Sequence, residues 1–331
     1  MPELRIDPLS GLRVLISGDR ASRPGTDLHP GEPDPPVDTQ RDPFLEGHED
    51  RTPPELDALR PDGSAPDTPG WLVRVVPNLY PALEEQSPDP PREARIDLFS
   101  ASGARGTHEV IVNTPLPAGS IGDLPLEQLV HALAMWRRRM AHHIAQGTAC
   151  AHLFVNDGRA AGASQPHTHA QLAALPFVPA LIARERERCG AHAVATGGSS
   201  LLGDIVQEEV RLDQRVVDID DDTVLLAPFA SATPYQLMIA PRRPAMRWED
   251  GEQPTGAAML HATLARLRRR FDGNLPPLNL WIRTAPRGSE HFCWRIDIRP
   301  RFGRPAGLEL GTGLELNTVP PEHAAHELRH A

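Results

Sequence analysis

The chain has 331 residues and a formal net charge of −10 at pH 7, with 40% hydrophobic and 24% charged residues. This length and composition indicate a globular protein of one large domain or two ordinary ones, with enough apolar material for a core. The negative charge argues against nucleic-acid binding, which draws most of its affinity from a basic face. No apolar run approaches the roughly 18 residues of a membrane span and no signal peptide is recognisable, so we expect a cytoplasmic location and no membrane partner.

The basic residues and the cysteines narrow the chemistry further. All 34 basic residues are arginine, because the sequence contains no lysine. A phosphate group must therefore be held by arginine, backbone N–H, amide or hydroxyl groups, and lysine-based catalysis is excluded. The three cysteines, Cys150, Cys189 and Cys293, form no CxxC pair. They indicate neither a disulfide framework nor a thiolate zinc cluster.

The predicted elements fall into a loop-rich start and two sets of strands and helices. Residues 1–70 are rich in proline and turn residues, which predicts an extended N-terminal region. The first set is predicted in the order strand, strand, helix, strand, strand, at 71–78, 108–115, 124–144, 151–158 and 162–176. A polar joint follows near 190–200. The second set is predicted in the same order, at 223–230, 234–243, 255–273, 278–286 and 292–301.

This repeated order predicts an α+β protein in which one unit of antiparallel strands and a packed helix is used twice. The predicted divisions are the extended region 1–70, a first module at 71–195 and a second at 196–331. If the two copies superpose, HTHAQ (167–171) in the first corresponds to RIDIR (295–299) in the second. Only the first copy then presents histidines, so we expect the chemistry there.

The segment GASQPHTHAQ places His167, His169 and Gln171 at every second position, which on a strand directs the three side chains to one face. Three interpretations are open. Alternate histidines can bind zinc, but a site needs about four ligands, and the other candidates are scattered at Asp42, His48 and His108. A neutral imidazole can instead attack phosphorus, with the glutamine amide donating to a phosphoryl oxygen. Two histidines can also simply hydrogen-bond at a sheet edge.

The residues around the motif favour phosphate chemistry. Gly162, Ala163 and Ser164 form a small-residue loop whose backbone N–H groups are expected to approach a phosphate closely. Ser164 adds a hydroxyl donor. Asn156 ends the preceding predicted strand, where a polar ligand would lie.

The segment FVNDGRAAGASQPHTHAQLAALPFVP resembles the active-site segment of the galactose-1-phosphate uridylyltransferase family, within the histidine-triad superfamily. Other blocks resemble the family in family order, namely VRVVPNLYPAL (73–83), THEVIVNTP (107–115), PFASATPYQLMIAPRR (228–243) and AGLELGTGLELNTVPPEHAAHELR (306–329). The resemblance extends from about residue 13 to about residue 329. It implies two histidine-triad-like modules, the first catalytic and the second supportive.

The resemblance also implies a double-displacement nucleotidyl transfer. His169 would attack the α-phosphorus of a nucleotide sugar and retain the nucleoside monophosphate, which a phosphorylated small-molecule acceptor then takes. Gln171 and Ser164 would orient the α-phosphate, and His167 belongs to the same catalytic motif.

Further family positions concern the nucleotide. Asn78 and Asn156 match positions near the nucleotide phosphates. Arg20 and Arg23 resemble an arginine pair that reaches the nucleotide, in the family often across a dimer interface. The resemblance therefore implies a homodimer.

The chain departs from the family at its metal positions. Asp42 and Leu45 stand where many members have the two cysteines of CPFC, and the position of a further zinc histidine falls among Pro115, Leu116 and Pro117. We therefore predict no zinc and no other cofactor. Asp42 and His48 are the only residues that would replace the missing zinc ligands. His167, a zinc ligand in metal-bearing members, is expected to hold the strand by hydrogen bonds instead.

A second metal position of some members is also altered. Glu185 matches the metal-binding glutamate, but Arg283, Arg295 and Asp297 stand at the histidine positions. Because a guanidinium cannot ligate a metal, we predict an ion-pair cluster there.

The predicted function is a nucleotidyltransferase that uses a nucleotide sugar, as in UDP-glucose–hexose-1-phosphate uridylyltransferases. Galactose is only the family default, since Arg304 to Leu316 lacks the lysine and glutamine of hexose-specific members. One alternative is an ADP-sugar or dinucleoside polyphosphate phosphorylase or adenylyltransferase. Another is a specialised biosynthetic relative with a changed substrate.

Overall fold

The structure is a computed structural model that describes residues 2–18, 28–90, 98–251 and 255–331. In these ranges the strands are β1 (Glu3–Ile6), β2 (Arg13–Ile16), β3 (Asp57–Leu59), β4 (Val73–Pro77), β5 (Thr107–Val112), β6 (Cys150–Asp157), β7 (His169–Leu175), β8 (Val216–Ile219), β9 (Thr223–Leu226), β10 (Leu237–Pro241), β11 (Leu278–Arg283), β12 (Arg295–Pro300) and β13 (Glu315–Asn317). The helices are α1 (Leu126–Ala145), α2 (Ala180–Thr196), α3 (Leu201–Leu212), α4 (Ala257–Arg270), α5 (Gly307–Thr312) and α6 (Pro321–Arg329).

Most strands form one sheet of ten, in the order β3-β4-β5-β7-β6-β11-β12-β10-β9-β8. In each half the strand before the long helix pairs with the second strand after it, β5 with β7 and β10 with β12. The halves join where β6 and β11 pair antiparallel. The α+β class, the antiparallel sheet and the repeated order of elements predicted from the sequence are therefore confirmed.

The core lies between this sheet and the helices α1 and α4. Along β6 buried and half-buried residues alternate, as expected for a strand with one apolar face. Leu153 and Val155 on β6 and Leu172 on β7 belong to the same buried cluster as Leu133 on α1 and Leu264 on α4. Each such leucine stabilises the fold by roughly 1.5–3 kcal/mol on burial. On the opposite face two smaller buried clusters form, one where β9 and β10 meet α3 and one where β4 and β5 meet Trp71.

The N- and C-terminal segments meet in a second, three-stranded sheet with the order β1-β2-β13. β13 pairs parallel with β2, which brings the C-terminal block beside the start of the chain. Arg5 of β1 and Arg215 both bond to the carboxylate of Glu322 at the start of α6. None of the helices in the described ranges has the length and apolar character to cross a membrane.

The prediction of a polar joint near 190–200 is wrong for most of its length. α2 continues to Thr196 and α3 begins at Leu201, so only a short turn separates two helices. Gly197, in the left-handed conformation at φ +73°, ends α2, and the Ser200 hydroxyl caps α3 by accepting from the N–H of Gly203. The alanine-, arginine- and glutamate-rich segment has good helix propensity but sparse apolar positions, so its periodicity was weak.

Candidate active site

A cavity of about 140 Å³ lies where the loop after β4, strand β5 and the start of β7 meet. Its apolar lining includes Pro43, Phe44, Val76, Leu79, Tyr80 and Val110. Its polar lining includes Asn78, Ser164, Gln165, His169 and Gln171. A mainly apolar wall with a few converging polar groups is typical of a site for a small organic ligand.

His169 is the first residue of β7 and is only 5% exposed. Its Nδ1–H donates to the backbone carbonyl of His167 at 2.7 Å, because a carbonyl can only accept. The neutral ring therefore carries its lone pair on Nε2. Burial lowers the pKa of His169, outweighing the opposite effect of the bond to the His167 carbonyl, so the neutral form is favoured. A neutral imidazole with a free Nε2 is a competent nucleophile.

Gln171 lies two residues further along β7 and lines the same cavity. Its Oε1 lies 3.0 Å from Nε2 of His108 on β5. Asn78, which follows β4, also lines the cavity, and its Oδ1 accepts from the N–H of Tyr80 at 2.9 Å. Both amides use their oxygen atoms in these bonds, and the NH₂ group of Asn78 lies 3.4 Å from Nε2 of His108.

The loop before β7 differs from the sequence expectation in two ways. The strand predicted at 162–176 begins only at His169, and Gly162 adopts φ +95°, a conformation that favours glycine. The N–H groups of Gly162 and Ala163 donate to the carbonyls of Arg159 and Gly158, so they are not free for a phosphate. Ser164, which is exposed, does line the cavity as predicted for a phosphate-orienting hydroxyl.

Asn156, near the end of β6, is held by a residue of the second half. The Nδ2 group of Asn279 on β11 donates to the carbonyl of Ala161 at 2.8 Å and to Oδ1 of Asn156 at 2.9 Å. Because the Ala161 carbonyl must accept, the sense of both amides is fixed. The NH₂ of Asn156 is thereby left on the side of the loop, where a Cβ at Gly162 would lie 3.8 Å from it.

His167 is fully buried and does not line the cavity. Its Nε2–H donates to the carbonyl of Thr114 at 2.9 Å, and its Nδ1 is hydrogen-bonded to Oδ2 of Asp42 at 2.6 Å. Both ring nitrogens are therefore engaged, as expected for a histidine that holds the strand. Its contribution to the site is the backbone carbonyl that orients His169.

The residues at the family's zinc position do not fit a zinc ion. The carboxylate of Asp42 is hydrogen-bonded to His167, and the side chain of Leu45 has no atom that can bind a metal. His48 is hydrogen-bonded through Nδ1 to the backbone carbonyl of Asp42 at 2.7 Å. Across the described residues no group of three or more His, Cys, Asp or Glu side chains is arranged to hold a metal. The absence of a metal or other cofactor stays a prediction.

The predicted ion-pair cluster at the second metal position is confirmed. Arg295, on β12, bonds through both terminal nitrogens to the carboxylate of Glu185 on α2. Its Nε also contacts Asp297 at 3.0 Å, and Arg283 Nε lies 3.4 Å from Glu185. These four side chains are all at least nine-tenths buried.

The structure thus gathers most of the predicted site residues. His169, Gln171, Ser164 and Asn78 share one cavity, and Asn156 lies beside it. Arg20 and Arg23 lie outside the described residues, so their role and the homodimer stay predictions.

Sequence reasoning missed the apolar wall and Asn279. Val76 and Val110 are ordinary strand residues and the other wall residues lie in loops, so none carries a signal of its own in the sequence. Asn279 did carry a signal, since it is a lone amide in the apolar run LNLWI.

A two-part antiparallel sheet therefore presents a buried histidine, two amides and a hydroxyl at one small cavity. The protein-family model described as "Galactose-1-phosphate uridyl transferase, N-terminal domain" matches residues 1–179. The chain belongs to the galactose-1-phosphate uridylyltransferase family, and it is an enzyme of the nucleotidyltransferase class.

Individual relatives cover nearly the whole chain. ADP-glucose phosphorylase of Arabidopsis thaliana is 29% identical over 339 residues, covering 99% of this chain and 92% of that protein. Galactose-1-phosphate uridylyltransferase of Thermotoga maritima is 25% identical over 354 residues, covering 99% and 98% respectively. The crystal structure of the Arabidopsis thaliana ADP-glucose phosphorylase with bound ADP-glucose matches with a TM-score of 0.82 at 27% identity, covering 100% of this chain and 99% of that chain. A uridylyltransferase structure matches with a TM-score of 0.75 at 26% identity, covering 100% and 98%.

Proposed function

We propose that this enzyme transfers a nucleoside monophosphate from a nucleotide sugar to a phosphorylated acceptor through a covalent nucleotidyl–His169 intermediate. The observation that carries the proposal is the state of His169. Its Nδ1–H is committed to the His167 carbonyl, and burial lowers its pKa, so Nε2 keeps its lone pair at the cavity.

The first step forms one bond and breaks one. The Nε2 lone pair attacks the α-phosphorus, and the bond from phosphorus to the bridging oxygen breaks. The electron pair leaves with the sugar 1-phosphate, whose phosphate group stabilises it. In the second step an oxygen of the acceptor phosphate attacks phosphorus, and the P–N electrons return to Nε2. No proton transfer is needed, so the Nδ1–H bond to His167 is kept throughout.

The aromatic side chains around the cavity favour a nucleoside as the ligand beside His169. Phe44 lies with its ring centroid 5.3 Å from the ring of His169, and Tyr80 at the rim is 86% exposed. Such rings offer surfaces on which a base can stack. The side chains of Gln171, Asn78 and Ser164 offer donors for the α-phosphate, whose charge increases on the bridging and non-bridging oxygens during transfer.

The acceptor separates two versions of this function. With a sugar 1-phosphate as acceptor, the enzyme is a uridylyltransferase-like transferase. With inorganic phosphate as acceptor, it is an ADP-sugar phosphorylase. The second version is supported by the match to the ADP-glucose phosphorylase structure, whose TM-score of 0.82 exceeds the 0.75 of the uridylyltransferase structure.

The test is the mass of the intact protein after incubation with UDP-glucose or ADP-glucose and a quench without acid. We expect a UMP-sized or an AMP-sized adduct on the wild-type chain and none on His169→Ala. Addition of glucose 1-phosphate, galactose 1-phosphate or inorganic phosphate should then remove the adduct, and the effective acceptor identifies the reaction.

His167→Ala is not a suitable control, since its side chain is buried in the fold. His192→Ala is suitable, because this half-exposed histidine lies on α2 and pairs with Asp204. Its adduct should match that of the wild type. The covalent route is ruled out if the wild type binds nucleotide but gives no adduct, or if His169→Ala keeps it.

A further inference from the structure

We propose that His108 is a positioning residue that fixes the Gln171 amide with its NH₂ group toward the cavity. This inference rests on the proposed transfer at His169, because it assigns a function to the direction in which Gln171 donates. His108 lies on β5 opposite Ala173 of β7. Gln171 is two residues from Ala173 and so lies on the same face, where its side chain meets that of His108 diagonally across the two strands.

The tautomer of His108 follows from its contact with the loop after β4. The backbone N–H of Ala82 donates to Nδ1 of His108 at 3.2 Å. An N–H group can only donate, so Nδ1 must carry the lone pair. The ring of a neutral histidine has one N–H, which is therefore on Nε2.

This tautomer determines the sense of the Gln171 amide. The atom of Gln171 that lies 3.0 Å from Nε2–H of His108 must be an acceptor, and this is Oε1. The NH₂ group of Asn78 lies 3.4 Å from the same nitrogen. Because the Oδ1 of Asn78 accepts from Tyr80, this NH₂ is a donor and forms no hydrogen bond with Nε2–H. The shorter contacts of the ring with the Ala82 N–H and Gln171 Oε1 therefore determine the tautomer.

The orientation matters because the two ends of an amide are nearly equal in shape and opposite in charge. With Oε1 held by His108, the two N–H bonds of Gln171 are available to phosphoryl oxygens beside His169. A reversed amide would present oxygen lone pairs to those oxygens and raise the energy of the transition state. His108 thus acts on the reaction through Gln171 and need not touch the substrate.

Two substitutions separate this role from that of a structural anchor. His108→Gln supplies an NH₂ near the former Nε2 and keeps the donor to Gln171. His108→Asn supplies an oxygen near the former Nδ1 and keeps only the acceptor for Ala82. A positioning role predicts that His108→Gln retains most activity and that His108→Asn loses it. A loop anchor predicts the opposite order.

The rate to measure is adduct formation on His169 at saturating UDP-glucose or ADP-glucose. We expect His108→Asn to lower this rate by up to about a hundredfold, the lower end of the range for loss of an oriented transition-state donor, because the Gln171 amide itself is still present. The donor concentration for half-maximal rate should change much less. In a Gln171→Ala background His108→Asn should have no further effect, because both changes remove the same interaction. Equal rates in the two His108 variants, or additive effects, would overturn the proposal.

A second measurement does not depend on activity. In protein with ¹⁵N-labelled histidine, long-range ¹H–¹⁵N spectra report the tautomer, and the His108 signals are those lost in His108→Gln. We expect the Nε2–H form, and the Nδ1–H form would contradict the proposal even if no donor were turned over. An absent adduct on the wild type would instead count against the proposed function alone.

Discussion

Two histidines of one motif, His167 and His169, differ in chemistry because their hydrogen-bond partners differ. Both rings lie near Phe44, at centroid distances of 6.2 and 5.3 Å. His167 has both nitrogens engaged, by Asp42 and by the Thr114 carbonyl. His169 has only Nδ1 engaged, by a carbonyl two residues away. The hydrogen bonds therefore favour a structural role for His167 and are consistent with the proposed nucleophilic role of His169.

The lowered pKa of His169 gives a prediction for the pH dependence of the reaction. The ordinary imidazole pKa is 6.5, and burial of His169 moves it downward. A lowered pKa extends the neutral, nucleophilic form to more acidic pH, so activity is present above the folded-state pKa and is lost below it. We expect the acidic limb of the rate of adduct formation to have its midpoint below pH 6.5.

The measurement is single-turnover adduct formation over a range from about pH 5 to pH 8, around the imidazole pKa. The control is the free energy of unfolding at each pH, which separates titration of the nucleophile from loss of the fold. An acidic limb with its midpoint at or above 6.5 would contradict the burial argument.

At the residue scale the sequence predicted which side chains of the motif share a face better than it predicted their surroundings. The alternation in HTHAQ is local, so it revealed that His169 and Gln171 share a face. The partners that occupy His167 are 53 and 125 residues away in the chain, where no local pattern reports them. The same holds for His108, which contacts Gln171 across 63 residues.

At the scale of elements, the pairing of β6 with β11 extends the face of the sheet that carries the candidate site into the second half of the chain. Asn156 pairs with Asn279, and Asn279 with Arg299, so these residues share a row across three strands. Continuing the register of β6 and β7 places Asn156 beside His169. Directly opposed residues point to the same side of a sheet. The second half therefore supplies Asn279 to the side of the sheet that carries His169.

Replacement of Asn279 by aspartate tests this contribution. A carboxylate cannot donate to the Ala161 carbonyl or to Oδ1 of Asn156, so the Asn156 amide should turn and present its oxygen to the loop. We expect the rate of adduct formation to fall about tenfold or more. The control is Asn274→Asp, the same change at an exposed position beyond the site. Equal rates in the two variants would show that Asn156 needs no such partner.

The elements themselves were predictable where burial alternates along the chain. β6, β7, β11 and β12 each have one face on the core, which leaves a period of two in the sequence. The bounds of α2 and α3 were not predictable from the same signal, because few of their residues reach the main core. The conformation of loops was also not predictable from alternation of apolar residues. An example is the loop at Gly162 and Ala163, whose N–H groups bond to carbonyls of the same loop.

At the scale of the whole molecule, bonds between side chains of the chain itself occupy both positions where family resemblance places metals. Asp42 is hydrogen-bonded to His167 and ties the N-terminal segment to the loop before β7. The ion pairs of Glu185, Arg295 and Asp297 tie α2 to β12. Each of these carboxylates has a partner within the chain, so we expect no ion to be needed at these places.

We therefore predict that chelation with EDTA leaves the Tm unchanged, whereas Asp42→Ala lowers the free energy of unfolding by about 3 kcal/mol by leaving His167 buried without its partner. Thermal unfolding with and without chelator, together with metal analysis of the purified protein, measures both effects. Stoichiometric zinc in the protein, or a Tm that falls on chelation, would contradict the ligand count at Asp42, Leu45 and His48.

The antiparallel pairing of β6 with β11 also protects the first half of the chain from association with itself. Without β11, the eight-residue strand β6 would become an open edge of its sheet. Such an edge pairs readily with copies of itself and favours aggregation. A substitution that disrupts β11 therefore endangers the first half as well, even where it touches no residue of the candidate site.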